Sequence, residues 1–237
     1  MTDIFATLEA TWPPAAAENN GPWRLRDGAG GGKRVSAASA LGPITEADVQ
    51  ALEDDARKRG LAALVQVKDS EAELDALLDA QGYTVVDPTW LWAMPVAGLT
   101  DIPLPKVTAF AVWEPLAIMT DIWRKTGLPP ARFAVMARAA HKTAIFSRCN
   151  DKPAGVAFAA IHGDMCMVHA VEVLPHQRRQ GMAQWMMRKA AFWAQEQGAT
   201  TLSVACVAAN DPANALYEGL GFERAGGYHY RTKEIAT

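Results

Sequence analysis

Along the 237-residue chain the spacing of apolar residues switches between two periods, and each switch marks an element. The strongest helical pattern follows Gly181: Met182, Trp185, Met186, Ala190 and Trp193 recur at helical spacing and form one apolar stripe, which Gly198 closes. Before it, Met165 to Val173 reads as a strand that stops short of Pro175, and Thr201 to Val207 as the next strand. Asp211 to Glu218 is a short helix with Pro212 in its first turn. Gly221-Phe222 and Tyr228 to Arg231 supply a last strand pair around Gly226-Gly227.

Upstream, Val107 to Val112 predicts a strand, Glu114 to Lys125 and Ala131 to Ala140 two helices, and Thr143 to Arg148 and Gly155 to Ile161 two strands joined at Asn150-Asp151-Lys152-Pro153. Residues 97–106, with Gly98, Pro103 and Pro105, read as a linker. In the N-terminal part, Trp23 to Arg26 predicts a strand that returns over Lys33 to Ala38 across a glycine-rich turn. Two helices carry capping signals at Thr45-x-x-Asp48 and Ser70-x-x-Glu73 and end at Gly60 and Gly82. Leu61 to Val67 and Tyr83 to Val96 are strands, and residues 1–22 form a short helix or loose lead-in. Strands and helices thus alternate through both halves, an α/β (α+β) composition.

Composition narrows the function classes. Half the residues are hydrophobic and 21% charged, which suits a packed globular protein. A net charge of −3 gives no broad footprint for nucleic acid or an anionic membrane. The cysteines Cys149, Cys166 and Cys206 are odd in number and far apart, so neither a disulfide framework nor a metal site is expected, and a reducing cytoplasm suits them. No apolar run reaches the ~18 residues that would span a bilayer, and the N-terminus has no basic-then-apolar leader pattern. The turn Gly28-Ala-Gly-Gly-Gly-Lys-Arg34 lacks the first glycine and the final Ser/Thr of a phosphate loop, and reads as a flexible turn.

The candidate chemistry lies at the junction Val-Glu-Val-Leu-Pro-His-Gln-Arg-Arg-Gln-Gly-Met-Ala, residues 171–183. A strand, a basic glycine-containing loop and a helix start aim backbone N–H groups and the positive end of a helix dipole at one point, where an anion can sit. Arg178 to Ala183 fits Arg-x-x-Gly-x-Ala, and Asn210-x-x-Ala213-x-x-Leu216-Tyr217 precedes Gly221-Phe222. Together, in this element order, the two motifs resemble GNAT-type acyl-CoA N-acyltransferases over roughly residues 105–237. The resemblance implies the GNAT fold, a mixed and mostly antiparallel central sheet flanked by helices. It assigns residues 101–237 to a catalytic domain and residues 1–100 to a degenerate GNAT-like domain, as in tandem members of the family. That half lacks both motifs and is expected to be non-catalytic and to close the acceptor site.

By the same resemblance the substrates are acetyl-CoA and a small amine or amino-acid-like acceptor, transferred by direct attack in a ternary complex. No metal is implied, and the protein is a pseudo-dimeric monomer or a homodimer. The backbone of Arg179, Gln180, Gly181, Met182 and Ala183 would hold the pyrophosphate, with Arg178 and Arg179 either adding charge or forming a solvated basic turn. Val171 and Val173 would offer a strand edge to pantetheine, the Val173 N–H would polarise the thioester carbonyl, and Asn210 would bind the pantetheine arm. Tyr217 would be the general acid, or else pack its helix. For the base two residues stand open. His169 shares strand parity with Val171 and Val173. Glu172 is closer, but strict alternation points it to the opposite face unless a β-bulge re-aims it. The alternatives to catalysis of N-acylation are an idle acyl-CoA-binding sensor or assembly module, and O-acyl transfer on the same cofactor site.

Overall fold

The computed structural model describes residues 2–235. In chain order its elements are α1 (Ile4–Thr11), β1 (Ala16–Asn20), β2 (Trp23–Asp27), β3 (Ser39–Ala40), α2 (Glu46–Arg59), β4 (Ala63–Lys68), α3 (Ala72–Ala80), β5 (Thr84–Pro95), β6 (Ala109–Val112), α4 (Ala117–Lys125), α5 (Ala131–Arg138), β7 (His141–Cys149), β8 (Lys152–His162), β9 (Met165–Val173), α6 (Met182–Glu196), β10 (Thr201–Val207), α7 (Asp211–Gly219) and β11 (Glu223–Lys233). They cluster into two compact units built from separate segments. The first comprises the chain up to Pro13, Leu91–Cys206 and Asp211–Ala225. The second comprises Pro14–Trp90, Val207–Asn210 and the chain from Gly226 onward.

In the first unit the strand order runs β10-β9-β8-β7-β6. β10 is parallel to β9, and the other neighbours are antiparallel. Asn150 and Asp151, both at positive φ (50° and 61°), close the tight turn between β7 and β8, the conformation a two-residue hairpin requires. Helices cover both faces. α6 packs on β7, β8 and β9, and Met186 lies against Gly155. α1 and α4 pack on β8 and β9, with Trp12 of the α1 end set edge-on to Phe158 at 5.9 Å. Gly155 and Phe158 have opposite parity on β8, so the two helix sets occupy opposite faces. The buried strip of α6 is wider than the stripe in the sequence. It takes in Met187, Ala191, Ala194 and Arg188, whose guanidinium bonds the Leu99 carbonyl at 3.2 Å and the Asp101 carboxylate. The segment expected as a linker is therefore anchored, with Val96 and Leu99 buried in a short 3-10 turn.

The second unit has a core of Trp23, Leu25, Val49, Leu52, Val65, Val67, Leu74, Leu78 and Tyr83, gathered by α2, α3 and β4. β4 pairs antiparallel with the C-terminal part of β11, and Arg231 of β11 bonds both Asp75 and Asp79 of α3 at 2.7 Å. The predicted hairpin is corrected here. β2 pairs with the upstream β1, whose residues are all exposed, and Lys33–Val35 is a 3-10 turn leading to the short β3. β1 reads Ala-Ala-Glu-Asn-Asn and buries nothing, so it left no alternation to detect. Gly28 keeps the turn open, because a Cβ there would meet the Ser36 hydroxyl at 2.2 Å. The capping box at Thr45 and Asp48 forms as expected, and Gly60 ends α2 in the left-handed region. The one expected at Ser70 does not form. α3 starts one residue later, with Glu71 at its N-cap and no side-chain cap bond, and the Glu71 carboxylate accepts from the Lys68 N–H at 2.9 Å. The last strand pair is also corrected to a single strand, β11. No helix among the described residues is long and apolar enough to cross a membrane.

Leu78 is fully buried in the second unit's core, whereas Leu61 is 60% exposed. Leu78→Ala is expected to lower unfolding free energy by about 2–5 kcal/mol in a urea titration. Leu61→Ala should stay within about 0.5 kcal/mol of the parent.

Candidate active site

The site is built around an irregularity in β9. Along the β8–β9 ladder Phe158 faces His169 and Val156 faces Glu172, so two steps on β8 match three on β9. One extra residue is inserted, and Ala170 takes a φ of +49°. Directly opposed residues of an antiparallel ladder lie on the same face. Val156 and Phe158 share a face, so His169 and Glu172 share it too, despite being three residues apart. Without the insertion Glu172 would turn to the α6 face, as strict alternation reads from the sequence. With it, the carboxylate joins the face covered by α1 and α4.

The same region opens the sheet. β9 and β10 are paired only from Met165 opposite Thr201 to Val168 opposite Val204, and beyond Val168 β9 keeps β8 alone. Burial follows: residues 165–169 are buried, while 170–173 are half-buried. The Leu174 N–H donates to the Ala154 carbonyl of β8 at 2.9 Å. Backbone donors alternate sides along a strand, so the neighbouring Val173 N–H points away from β8, toward the opened side. The Val173 carbonyl on that side accepts from Arg178 Nε at 3.2 Å.

Past β9, Pro175–Gln177 makes one 3-10 turn, Arg179 adopts a φ of +64°, and Gly181 a φ of +73° as it caps α6. These two left-handed residues fold the loop back over the helix start. At Gly181 the requirement is conformational, since a Cβ would meet only the Trp185 ring at 3.8 Å. No side chain caps the first turn of α6, so its leading N–H groups, those of Met182 and Ala183 among them, have no acceptor within the helix. Gln180 is held by Gln177 at 3.1 Å and takes the Cys149 thiol as a donor at 3.1 Å. Arg178 and Arg179 are exposed.

The candidate acid and bases differ sharply in surroundings. His169 is 4% exposed, its Nε2 lies 2.9 Å from the Thr11 hydroxyl, and the Trp12 ring sits 5.0 Å above its own. Glu172 is half-buried. Burial pushes its carboxyl above the ordinary glutamate value, and Arg178 and a bond from Thr126 offset this in part. Tyr217 of α7 is buried edge-on to Phe222 at 5.8 Å. Burial, with the neighbouring Cys206 and Glu172 adding to it, pushes its phenol well up, so it stays protonated. The Glu172 charge is therefore felt at Tyr217. Asn210 is exposed and clusters with the second unit, in the turn Val207–Asn210. Cys166 is fully buried and its thiol is pushed up by burial, which leaves it an inert core residue. Among the described residues no group of His, Cys, Asp and Glu is placed to hold a metal ion.

Sequence reasoning missed several residues that shape this site. Trp123 donates its indole N–H to the Ala170 carbonyl at 2.8 Å, Thr126 reaches Glu172, and Thr11 and Trp12 enclose His169. In sequence Trp123 is one more apolar position of α4, and Thr126 is the residue just past its end. Neither carries a signal for a contact with a strand about fifty residues on.

Residues 112–222 match the model of the Acetyltransferase (GNAT) family. Among solved structures, a GCN5-related N-acetyltransferase from Kribbella flavida is 20% identical with a TM-score of 0.75, over 97% of this chain and 94% of that one. A GNAT-family protein from Novosphingobium aromaticivorans is 20% identical with a TM-score of 0.55, over 93% and 92%. A tandem GNAT protein from the clavulanic acid biosynthesis pathway is 15% identical with a TM-score of 0.65, over 97% and 87%. At these identities the likeness is one of fold. No curated relative matches the chain.

Gly155 tests how tightly the irregular segment is packed. A Cβ there would stand 2.6 Å from the Glu172 carbonyl oxygen and 3.0 Å from the Met186 side chain. Gly155→Ala is expected to destabilise the fold by about 1–3 kcal/mol in chemical unfolding, because backbone must move to admit the methyl.

Proposed function

We propose that this chain, whose residues 112–222 match the model of the Acetyltransferase (GNAT) family, transfers the acetyl group of acetyl-CoA to a small amine or amino-acid-like acceptor by direct attack in a ternary complex. The observation that carries the reading is Glu172, turned by the bulge onto a face it would otherwise avoid and held half-buried with a raised carboxyl pKa. A carboxylate tuned upward is a better match to proton removal from an ammonium near neutral pH than an ordinary one. In this reading Glu172, directly or through water, takes the proton of the acceptor ammonium. The freed nitrogen attacks the thioester carbonyl, and the N–H of Val173 donates to the oxygen as charge builds on it. The C–S bond then breaks; Tyr217, kept protonated by its burial, gives its proton to the departing sulfur and regains one from the amide nitrogen, which sheds its second proton as the product forms. His169, enclosed by Thr11 and Trp12, is read as packing rather than as base.

The first-turn amides after Arg179, with Gly181, are read as the pyrophosphate seat, and Arg178 and Arg179 as added positive charge. Val171 and Val173 present the edge for pantetheine, and Asn210 a further donor to its arm. Residues 101–237 are read as the catalytic domain and 1–100 as a degenerate GNAT-like half. No strand of that half runs into an arginine-rich loop and a helix start among the described residues.

Acetyl-CoA turnover against a panel of primary amines, amino acids and alcohols tests the reaction. Amine-dependent thiol release supports the reading. Tight acetyl-CoA binding with no turnover would mark an idle binding module, and turnover with alcohols alone an O-acyltransferase. Calorimetric titration should find one acetyl-CoA site per chain, and two would sink the degenerate-half reading. Glu172→Gln should cut kcat by about 10²–10⁴ with little change in acetyl-CoA affinity. In the parent, kcat/KM should rise with pH through the raised Glu172 pKa, because the base must be ionised, and this limb should vanish in Glu172→Gln. Tyr217→Phe should slow the reaction while leaving that limb in place.

A further inference from the structure

α4 presents two side chains to the irregular stretch of β9. Trp123 is fully buried, and its indole Nε1 donates to the carbonyl of Ala170, the residue with positive φ at the bulge. One turn on, the Thr126 hydroxyl is within reach of the Glu172 carboxylate and also lies 3.1 Å from the carbonyls of Ile122 and Trp123. We propose that Trp123 is a positioning residue for Glu172: its indole N–H holds the Ala170 carbonyl, and thereby the inserted residue that turns the carboxylate to the reacting face. The proposal rests on the reading of Glu172 as the base.

The physical case is a competition between two ladders. A regular β8–β9 pairing would return Ala170 to extended backbone, and the change of one residue in register would send Glu172 to the α6 face. The bulged form leaves the Ala170 carbonyl directed out of the ladder and holds a non-glycine residue in a left-handed conformation, both unfavourable unless compensated. The Trp123 N–H supplies the missing partner, and the rest of its buried ring, 6.1 Å from Phe133, fixes α4 over the bulge. Thr126 then acts on the carboxylate itself, and since its one proton serves a single acceptor at a time, it orients without locking. A phenylalanine at 123 would keep most of the ring and lose only the N–H.

The test is a kinetic cycle of parent, Trp123→Phe, Glu172→Gln and the double variant, assayed with acetyl-CoA and the fastest acceptor among spermidine, tyramine, lysine and phenylalanine. Trp123→Phe should lose about tenfold or more in kcat with the acetyl-CoA KM within about twofold, and the double variant should be no slower than Glu172→Gln alone. Thr126→Val should move the rising limb of kcat/KM to higher pH, since the lost bond lowers the Glu172 pKa. Parent-like kcat in Trp123→Phe would overturn the proposal. So would an equal loss from Trp123→Phe in the Glu172→Gln background, which marks a purely structural role. If Glu172→Gln itself turns over like the parent, the base reading has failed and the positioning role goes with it. Loss in Trp123→Phe with an intact Glu172→Gln effect but no interaction between them sinks the positioning role alone. Should Trp123→Phe not fold, Trp123→His, which keeps a ring N–H, should retain more kcat than Trp123→Leu, and equal losses in the two count against the proposal.

Discussion

Everything at the candidate site follows from a single extra residue in β9. A strand that keeps strict register with β8 and β10 has no free edge and places alternate side chains on alternate faces. The insertion at Ala170 breaks both conditions together. It comes just after the last β9–β10 pair, at Val168 and Val204, and just before Glu172 and Val173. The left-handed alanine costs on the order of 1–3 kcal/mol in isolation. The indole bond from Trp123 contributes roughly 1 kcal/mol in return, and the fully buried ring behind it contributes more. The strain is therefore tolerated because α4 is packed on that spot, which ties the position of a helix to the aim of a carboxylate.

The two faces of β9 divide the work. On one, α1 and α4 enclose His169 and orient Glu172. On the other, Val173 sits opposite Gly155, against the helix whose first turn offers its amides. α6 is in turn held from beyond the sheet, where buried Arg188 reaches the Leu99 carbonyl and the Asp101 carboxylate. The proposed anion-binding end and the proposed chemical end are thus placed by packing on opposite sides of one strand, a few residues apart in sequence. Arg178 joins them, since it bonds the Val173 carbonyl and its charge is felt at Glu172.

Much of this was legible in the order of residues. β9, β10 and α6 fall where the change of period places them, and Gly181 stands where a left-handed helix cap is needed. The loop motif and the Asn210–Tyr217 motif sufficed to name the family later matched over residues 112–222. What escaped depends on partners distant in sequence. β1 was invisible because a fully exposed edge strand carries no apolar alternation. The Ser70 cap gave way to a helix start one residue on, at Glu71, whose carboxylate bonds the Lys68 N–H, a local contact that a four-residue pattern does not weigh. The choice between His169 and Glu172 could not be made from parity, since parity holds only while the ladder is regular. The residue that breaks it is an alanine, with none of the glycine signature that usually marks such a position.

Desolvation links the proposed acid and the proposed base in a way that neither residue reveals alone. Burial disfavours the charged form of each and so raises both pKa values. For Tyr217 this keeps a phenol protonated, as the proposed donation to a departing thiolate requires. For Glu172 the same effect brings a carboxyl upward, and Arg178 and Thr126 offset that rise in part. For the base role proposed for Glu172, full burial would bring excess protonation and full exposure too low a proton affinity. Its half-buried placement at the mouth of the opened strands lies between these limits. That placement exists because the bulge, and not the regular ladder, is the pairing that α4 stabilises.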